Sequence, residues 1–430
     1  MRGGAATIAL AALFLAAPLR AEPEAPPPNR WEPGLLPVIN YDSNLGFGFG
    51  AIGVLARFEE GYDPYRFRIQ GLFQMNVAVD EAGDASLPMH DDYVRIDAPG
   101  IFGDKLRIQA ELFFNKLATM PYYGVGPRTA EAAFSDPELE RSLRARRYHH
   151  YDRAIVGGRA FLRFTVLKLA AEGEDPRLEV YDGTQVSYVW REVYPGSKLV
   201  RDIAARREAG PKGDALRALL HTPETYPLIA KSFGLLWDDR DHEFAPSRGS
   251  FTEIGVRLSP GAIERLSHAR LHVATRWFAP FFRDYLVFAH RAALDVLGGD
   301  APVDELTQIG VLQSEDFGGS VTIRGVPLRR FGGRLKLLGQ AELRGSFPWF
   351  EVLEQRLQIG VVAFVDAARV WADFDSTPAL DEDFDRPPFT LGTGGGLRIR
   401  WADTFIMRAD GAYSPTEDST GIYVDVGHAF

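Results

Sequence analysis

Hydrophobic residues recur at every second position over long stretches of this chain. Residues 66–79 place Phe67, Ile69, Gly71, Phe73, Met75, Val77 and Val79 on one face, against Arg66, Arg68, Gln70, Leu72, Gln74 and Asn76. Residues 106–115 repeat the rhythm, with Leu106, Ile108, Ala110, Leu112 and Phe114 opposite Arg107, Gln109, Glu111, Phe113 and Asn115. In residues 285–296, Leu286, Phe288, Ala292 and Leu294 stand opposite Arg291 and Asp295. A period of two is the signature of a strand with two unlike faces. Runs of about ten residues match a tilted strand crossing a bilayer. The apolar faces carry no Lys, Arg, Asp or Glu, and a Lys or Arg there would cost roughly 2–4 kcal/mol at the midplane. Hydrocarbon cannot satisfy backbone N–H and C=O groups, so strands cross it only when closed into a barrel. A soluble β-sandwich also alternates, but the run lengths and the charge on the second face favour the barrel.

The start of the chain fits export. Arg2 precedes an apolar run over residues 5–17 and a small residue at Ala21, the form of a secretory signal over residues 1–21. That run is shorter than the ~20 residues a membrane-spanning helix needs, and no longer apolar run follows. Residues 22–33 read as a Pro-rich periplasmic lead-in, and residues 34–430 as an outer-membrane β-barrel. The absence of cysteine excludes disulfide and thiolate chemistry, and a net charge of −10 argues against nucleic acid as a partner.

Alternating segments number about sixteen, an even count as bacterial barrels require, giving an all-β fold, a transmembrane antiparallel barrel. With both ends on the periplasmic side, short turns fall at Ala402-Asp403-Thr404 and Pro348-Trp349-Phe350. Long extracellular loops fall near residues 118–146, 193–228, 298–334 and 372–387. Residues 130–146 and 198–220, rich in Ala, Leu, Arg and Glu, predict exposed loop helices.

Gly318-Gly319-Ser320-Val321-Thr322-Ile323-Arg324-Gly325 follows the eleventh strand, and Phe364-Val365-Asp366 lies in the thirteenth. These segments resemble the outer-membrane protein assembly-factor superfamily, which includes BamA-like and TamA-like barrels and two-partner secretion transporters. The resemblance covers most of the chain after residue 34. The first segment is similar to the family's V/I-R-G-F/Y motif, carried by a sixth extracellular loop that folds back into the lumen; here Val326 replaces the aromatic. The second is similar to F-x-D-x-G, with Ala368 at the glycine position. The resemblance implies a lumen lock in which Arg324 and Gly325 meet Phe364 and Asp366, with Glu342 as a further carboxylate. Alternation points the same way, since Val361, Ala363 and Val365 share the lipid-side phase and leave Phe364 and Asp366 inward. Weaker echoes are Trp237-Asp238-Asp239-Arg240-Asp241 with Pro246-Ser247-Arg248-Gly249, and Pro121-Tyr122-Tyr123-Gly124-Val125-Gly126.

The last segment, Gly421 onward, resembles the C-terminal signal of barrel proteins, with Ile422, Val424, Val426 and Phe430 outward and His428 at a position that is usually apolar. Other motifs are better read as structure. Gly48, Gly50 and Gly53 fit G-x-G-x-x-G formally, but a dinucleotide site needs a strand, a turn and a helix around it. Gly394-Gly395-Gly396 lacks the Lys-Ser/Thr of a phosphate loop. Adjacent His149 and His150, near Asp152, point to opposite faces of a strand. No catalytic set, cofactor site or metal site emerges. The expectation is a surface-antigen-type barrel of the bacterial outer membrane, meeting outer-membrane lipid and lipopolysaccharide. The resemblance implies help in inserting or translocating client barrel or secreted proteins, and the alternative is a passive channel or structural barrel. With about a dozen residues between Ala21 and the first strand, the family's periplasmic POTRA domains are expected to be missing, and a separate periplasmic partner is implied.

Overall fold

The computed structural model describes residues 29–42, 46–62, 64–79, 85–127, 147–169, 176–261, 266–282, 285–352, 355–374, 389–401 and 405–430. The predicted signal over residues 1–21 and the predicted helix over residues 130–146 lie outside them. Among the described residues sixteen strands of eight residues or more follow one another. They are β1 (Arg30–Asp42), β2 (Gly46–Phe58), β3 (Phe67–Val79), β4 (Ala85–Gly100), β5 (Leu106–Pro121), β6 (His150–Lys168), β7 (Arg177–Val193) and β8 (Thr225–Asp238), then β9 (Gly249–Ser259), β10 (His268–Phe282), β11 (Leu286–Gly299), β12 (Leu335–Ser346), β13 (Gln355–Trp371), β14 (Thr390–Trp401), β15 (Phe405–Ser414) and β16 (Ser419–Val426). Each pairs antiparallel with the next, from β1 with β2 to β15 with β16.

The sheet curls into a barrel that is turned inside out relative to a soluble protein. Leu112 (70% exposed), Val365 (54%) and Ile422 (71%) face outward, whereas Arg270, Arg324 and Asp366 are fully buried. An apolar belt outside and a charged interior are the pattern hydrocarbon selects. Among the described residues no helix is long and apolar enough to cross a membrane.

β1 begins at Arg30, inside the segment expected to be a lead-in, and carries Pro33 and Pro37. Proline lacks the N–H a central ladder needs, so it is confined to edges. Among the described residues no ladder joins β1 to β16, and the barrel's seam lies there. On β2, Gly48 and Gly50 turn inward with Ile52 and Val54. A Cβ on Gly50 would stand 2.0 Å from the Phe73 carbonyl oxygen, so close strand packing accounts for these glycines.

Strands β1 and β16 place the two ends of the barrel chain at one mouth, and the long connections cluster at the other. In the fourth connection Ser197 caps helix α1 (Lys198–Ala205), its Oγ accepting from Val200 N at 3.4 Å, and Pro211 opens helix α2 (Pro211–Leu219). Leu199, Leu216, Leu219 and Leu220 pack with Tyr122, Tyr151, Val303 and Leu306 into an apolar dome over that mouth. Gly126 N donates to Gly332 O at 2.7 Å, joining the third and sixth connections. The turn after β8 folds under the opposite mouth, where Glu243 accepts from Arg107 at 2.9 Å and the Phe244 ring stacks on Tyr65 at 6.1 Å.

His149 sits at the dome margin between Tyr123 (ring centroids 5.0 Å apart) and Tyr148 (4.7 Å). Burial, partly offset by a backbone hydrogen bond to Tyr122 and reinforced by the charges of His150, Arg330 and Lys198, lowers its imidazole to about 4. A depressed histidine favours the folded form while neutral, so its contribution is complete above the ordinary value near 6.5 and is lost as pH falls toward 4. Protection factors of the backbone amides over residues 122–127, corrected for the intrinsic pH dependence of exchange, should therefore fall between pH 7 and pH 5. A His149→Phe substitution should flatten that dependence.

Candidate functional site

The sixth connection on the dome side, residues 300–334, leaves β11, enters the lumen and returns to β12. It folds on itself first. Gln308–Ile309 pairs with Glu315–Asp316, Phe317 N donates to Thr307 O at 2.8 Å, and Arg329 Nε holds Asp316 at 2.8 Å. Ile309, Phe317, Ile323, Val326 and Phe331 pack against wall residues Ala274, Ala293, Leu338, Ala368 and Val370. Val326 thus occupies an apolar niche that suits an aliphatic side chain.

At the loop tip, Arg324 donates to Asp366 through three nitrogens: backbone N at 3.0 Å, Nε at 2.8 Å and Nη2 at 2.9 Å. Its Nη1 reaches Glu342 at 2.5 Å and lies 3.6 Å from Asp410. The guanidinium stacks on Phe364, 3.4 Å from the ring centroid. Fork-to-carboxylate pairing and cation–π stacking are geometries that arginine supplies and lysine does not. Gly325 adopts φ +90°, and a Cβ there would stand 2.7 Å from the Tyr413 carbonyl carbon. Its N–H donates to the Tyr423 hydroxyl at 2.9 Å, and its carbonyl accepts from Ser419 at 2.6 Å. The tip is thereby tied to β16 itself. A Cβ on Gly392 would approach the Arg324 carbonyl oxygen to 2.0 Å, and one on Gly396 would meet Asp410 at 1.9 Å. Bare backbone on β14 makes room for the tip.

The root of the loop is held by opposite charges. Asp304 accepts from Tyr151 at 2.6 Å and Tyr226 at 3.1 Å, pairs with Arg191, and lies 3.6 Å from Arg153 and 3.3 Å from Arg329. Neighbouring Glu305 pairs with Arg257 and with Arg270 at 2.8 Å, and Glu315 holds Arg291 at 2.6 Å. Burial opposes ionisation of Asp304, but Arg191, Arg153 and Arg329 together hold its carboxyl far below the usual range. Burial likewise opposes Glu305, and Arg257 and Arg270 lower it to about 2. Loop acids therefore meet wall arginines on β6, β7, β9, β10 and β11, while the loop's Arg324 meets wall acids on β12, β13 and β15. The loop spans the lumen as a charge-keyed strut.

The residues singled out from sequence divide accordingly. Arg324, Gly325, Phe364, Asp366 and Glu342 come together. Asp410, Tyr423, Ser419, Asp304 and Glu305 complete the seat and were not singled out. Ile422 and Val424 face outward from β16. Phe430 does not: the strand ends at Val426, Gly427 takes φ +93°, and the last residues turn into the lumen. There the Phe430 ring packs against Phe278, Val287 and Ala289. The outward assignment of Phe430 is corrected because a positive-φ glycine breaks the alternation. Among the described residues no group of three His, Cys, Asp or Glu side chains could hold a metal ion.

A sequence model of the Omp85 superfamily domain matches residues 95–430. No curated protein sequence matches the chain. Similar solved structures include BamA from Haemophilus ducreyi lacking POTRA domains 1–3, with 14% identity over 93% of this chain and 70% of that one, TM-score 0.48. CdiB from Escherichia coli has 10% identity over 96% and 68%, TM-score 0.54. CdiB from Acinetobacter baumannii has 10% identity over 92% and 59%, TM-score 0.45. At these identities the likeness concerns the fold, and the Escherichia coli protein carries it.

Proposed function

Because the chain belongs to the Omp85 superfamily, a group of outer-membrane barrels that act in protein insertion or secretion, we propose that it assists insertion or translocation of client proteins at the seam between β1 and β16. The carrying observation is the state of that seam. β1 contains two prolines and, among the described residues, has a ladder to β2 only. Pro33 and Pro37 are four residues apart, so their missing donors fall on one edge of the strand. A strand edge short of its own partner can template an incoming strand by backbone pairing. Along its middle the first hairpin is also apolar on both faces: Leu35, Phe47 and Phe49 point outward, and Leu36, Val38, Ile52 and Val54 point inward. Charged Arg30, Glu32 and Arg57 gather at the end near the mouth that holds the chain ends, so the middle of the hairpin can tilt between lipid and lumen without exposing charge to hydrocarbon. Strand pairing and apolar burial supply the driving force, so the proposed reaction needs no nucleotide.

A passive pore is the weaker reading, because the strut of residues 300–334 crosses the lumen and the dome packs over one of its mouths. Purified protein in liposomes should promote folding of a client barrel while showing little steady conductance. Ohmic conductance without client insertion would overturn the proposal in favour of a channel.

A further inference from the structure

The turn at Gly427 delivers Phe430 to a patch shared by three neighbouring strands. Phe278 on β10 lies opposite Ala289 on β11, and Val287 on β11 lies opposite Arg344 on β12. The guanidinium of Arg344 sits 5.0 Å from the Phe430 ring centroid and 5.5 Å from that of Phe278. Arg344 is 5% exposed. Its Nε donates to Glu342 at 2.7 Å and its Nη2 to the Phe430 carbonyl oxygen at 3.1 Å. Its Nη1 is buried and has no partner among the described residues. A buried charged donor left unmade is costly, so Nη1 is a place where a further acceptor would be stabilised.

We infer that this lumenal patch of Phe278, Val287, Ala289 and Arg344 is a binding site for an aromatic residue with a carboxylate beside it in an incoming polypeptide, and that Phe430 occupies it in cis. The ring fills the apolar cradle and stacks with the guanidinium, and the carboxylate meets Nη2 and Nη1 as a bidentate acceptor. The natural ligand as a client segment rests on the proposed function; the site itself does not. Its occupant would lie next to the loop seat, because Glu342 accepts from both Arg344 and Arg324.

The test uses the full chain in detergent and a fluorescent ten-residue peptide copying residues 421–430. Phe430→Ala, which vacates the cradle, should bind the peptide at least tenfold more tightly than the parent. Adding Arg344→Gln or Phe278→Ala should abolish that gain, as should Ala in place of the peptide's last Phe. Weakening by amidation of the peptide's terminus identifies a terminal carboxylate; weakening only by Asn in place of the peptide's Asp identifies an acidic side chain. A second measurement leaves the cradle residues native. The chain has no cysteine, so in Ala429→Cys the new thiol, now buried, should label faster when excess peptide displaces the tail. Equal binding by parent and Phe430→Ala, indifference to the aromatic residue, or indifference to both carboxylates would overturn the site. Client insertion measured in parallel separates that failure from a failure of the assembly reading.

Discussion

Arg324→Ala will release the tip of the sixth connection and lower the barrel's thermal resistance in detergent by more than any single substitution on its outer face. The substitution removes a guanidinium that holds Asp366 through two hydrogen bonds and Glu342 through a third, while the backbone N–H to Asp366 remains. Glu342 keeps Arg344, and Asp410 keeps Arg398 and Arg408. Asp366 is left with Gln340 at 3.3 Å as its remaining side-chain donor among the described residues. Breaking a buried pair from one side typically costs about 3–5 kcal/mol, which is roughly two to four orders of magnitude in the seated-to-released equilibrium. Asp366→Asn should cost less, because an amide oxygen still accepts one bond. Arg324→Lys should fall between the two, keeping charge but losing the fork and the ring stack. Ser320, held against Asp425 at 3.1 Å, offers the local readout. A Ser320→Cys thiol should be protected in the parent and labelled quickly beside Arg324→Ala. Parent-like melting together with continued protection would show that Arg324 does not lock the loop.

Much of this seat could be read from the sequence because its two halves lie in regular elements. Period-2 alternation puts Phe364 and Asp366 inward whatever the rest of the chain does, and a family resemblance supplies Arg324. The root was not readable. Asp304 and Glu305 look like ordinary loop acids, and their partners Arg153, Arg191, Arg257 and Arg270 look like one inward charge among many. Which acid meets which arginine depends on how a 35-residue connection crosses the lumen, and local pattern carries no such information. Phe430 departs from the alternation for a different reason. Extending β16 in phase assigns it outward, but one left-handed glycine resets the direction of everything after it. The signal was present in His428, a polar residue where a lipid-facing strand would carry an apolar one. β1 starts earlier than its prolines suggest for a related reason: Pro33 has the look of a linker residue, yet at a barrel seam an edge strand accepts proline.

The second large effect belongs to the root, and it tests whether the strut is one body. Asp304→Ala takes away the carboxylate shared by Arg153, Arg191 and Arg329 and removes an acceptor of Tyr151 and Tyr226. The loss should be at least the ~3–5 kcal/mol of a single broken buried pair. Acid should mimic it in the parent. Folded-state values depressed below the ordinary carboxylate range mean that Asp304 and Glu305 contribute fully above about pH 4, and that this contribution fades as pH falls toward 2. The decisive comparison is the double variant with Arg324→Ala. Between the two anchors the loop is internally knit by the Asp316–Arg329 pair, the short ladder of Gln308–Ile309 with Glu315–Asp316 and the Phe317–Val326 apolar cluster. If that body leaves its seat as a unit, the first substitution already forfeits part of what the second would remove. The double variant should then lose at least about 1 kcal/mol less than the sum of the singles, beyond the ~0.5 kcal/mol scatter of independent sites. Strict additivity, with Ser320→Cys labelling unchanged by Asp304→Ala alone, would instead mean two separate anchors on a jointed loop. In that case the tip could open toward β16 while the dome stayed shut.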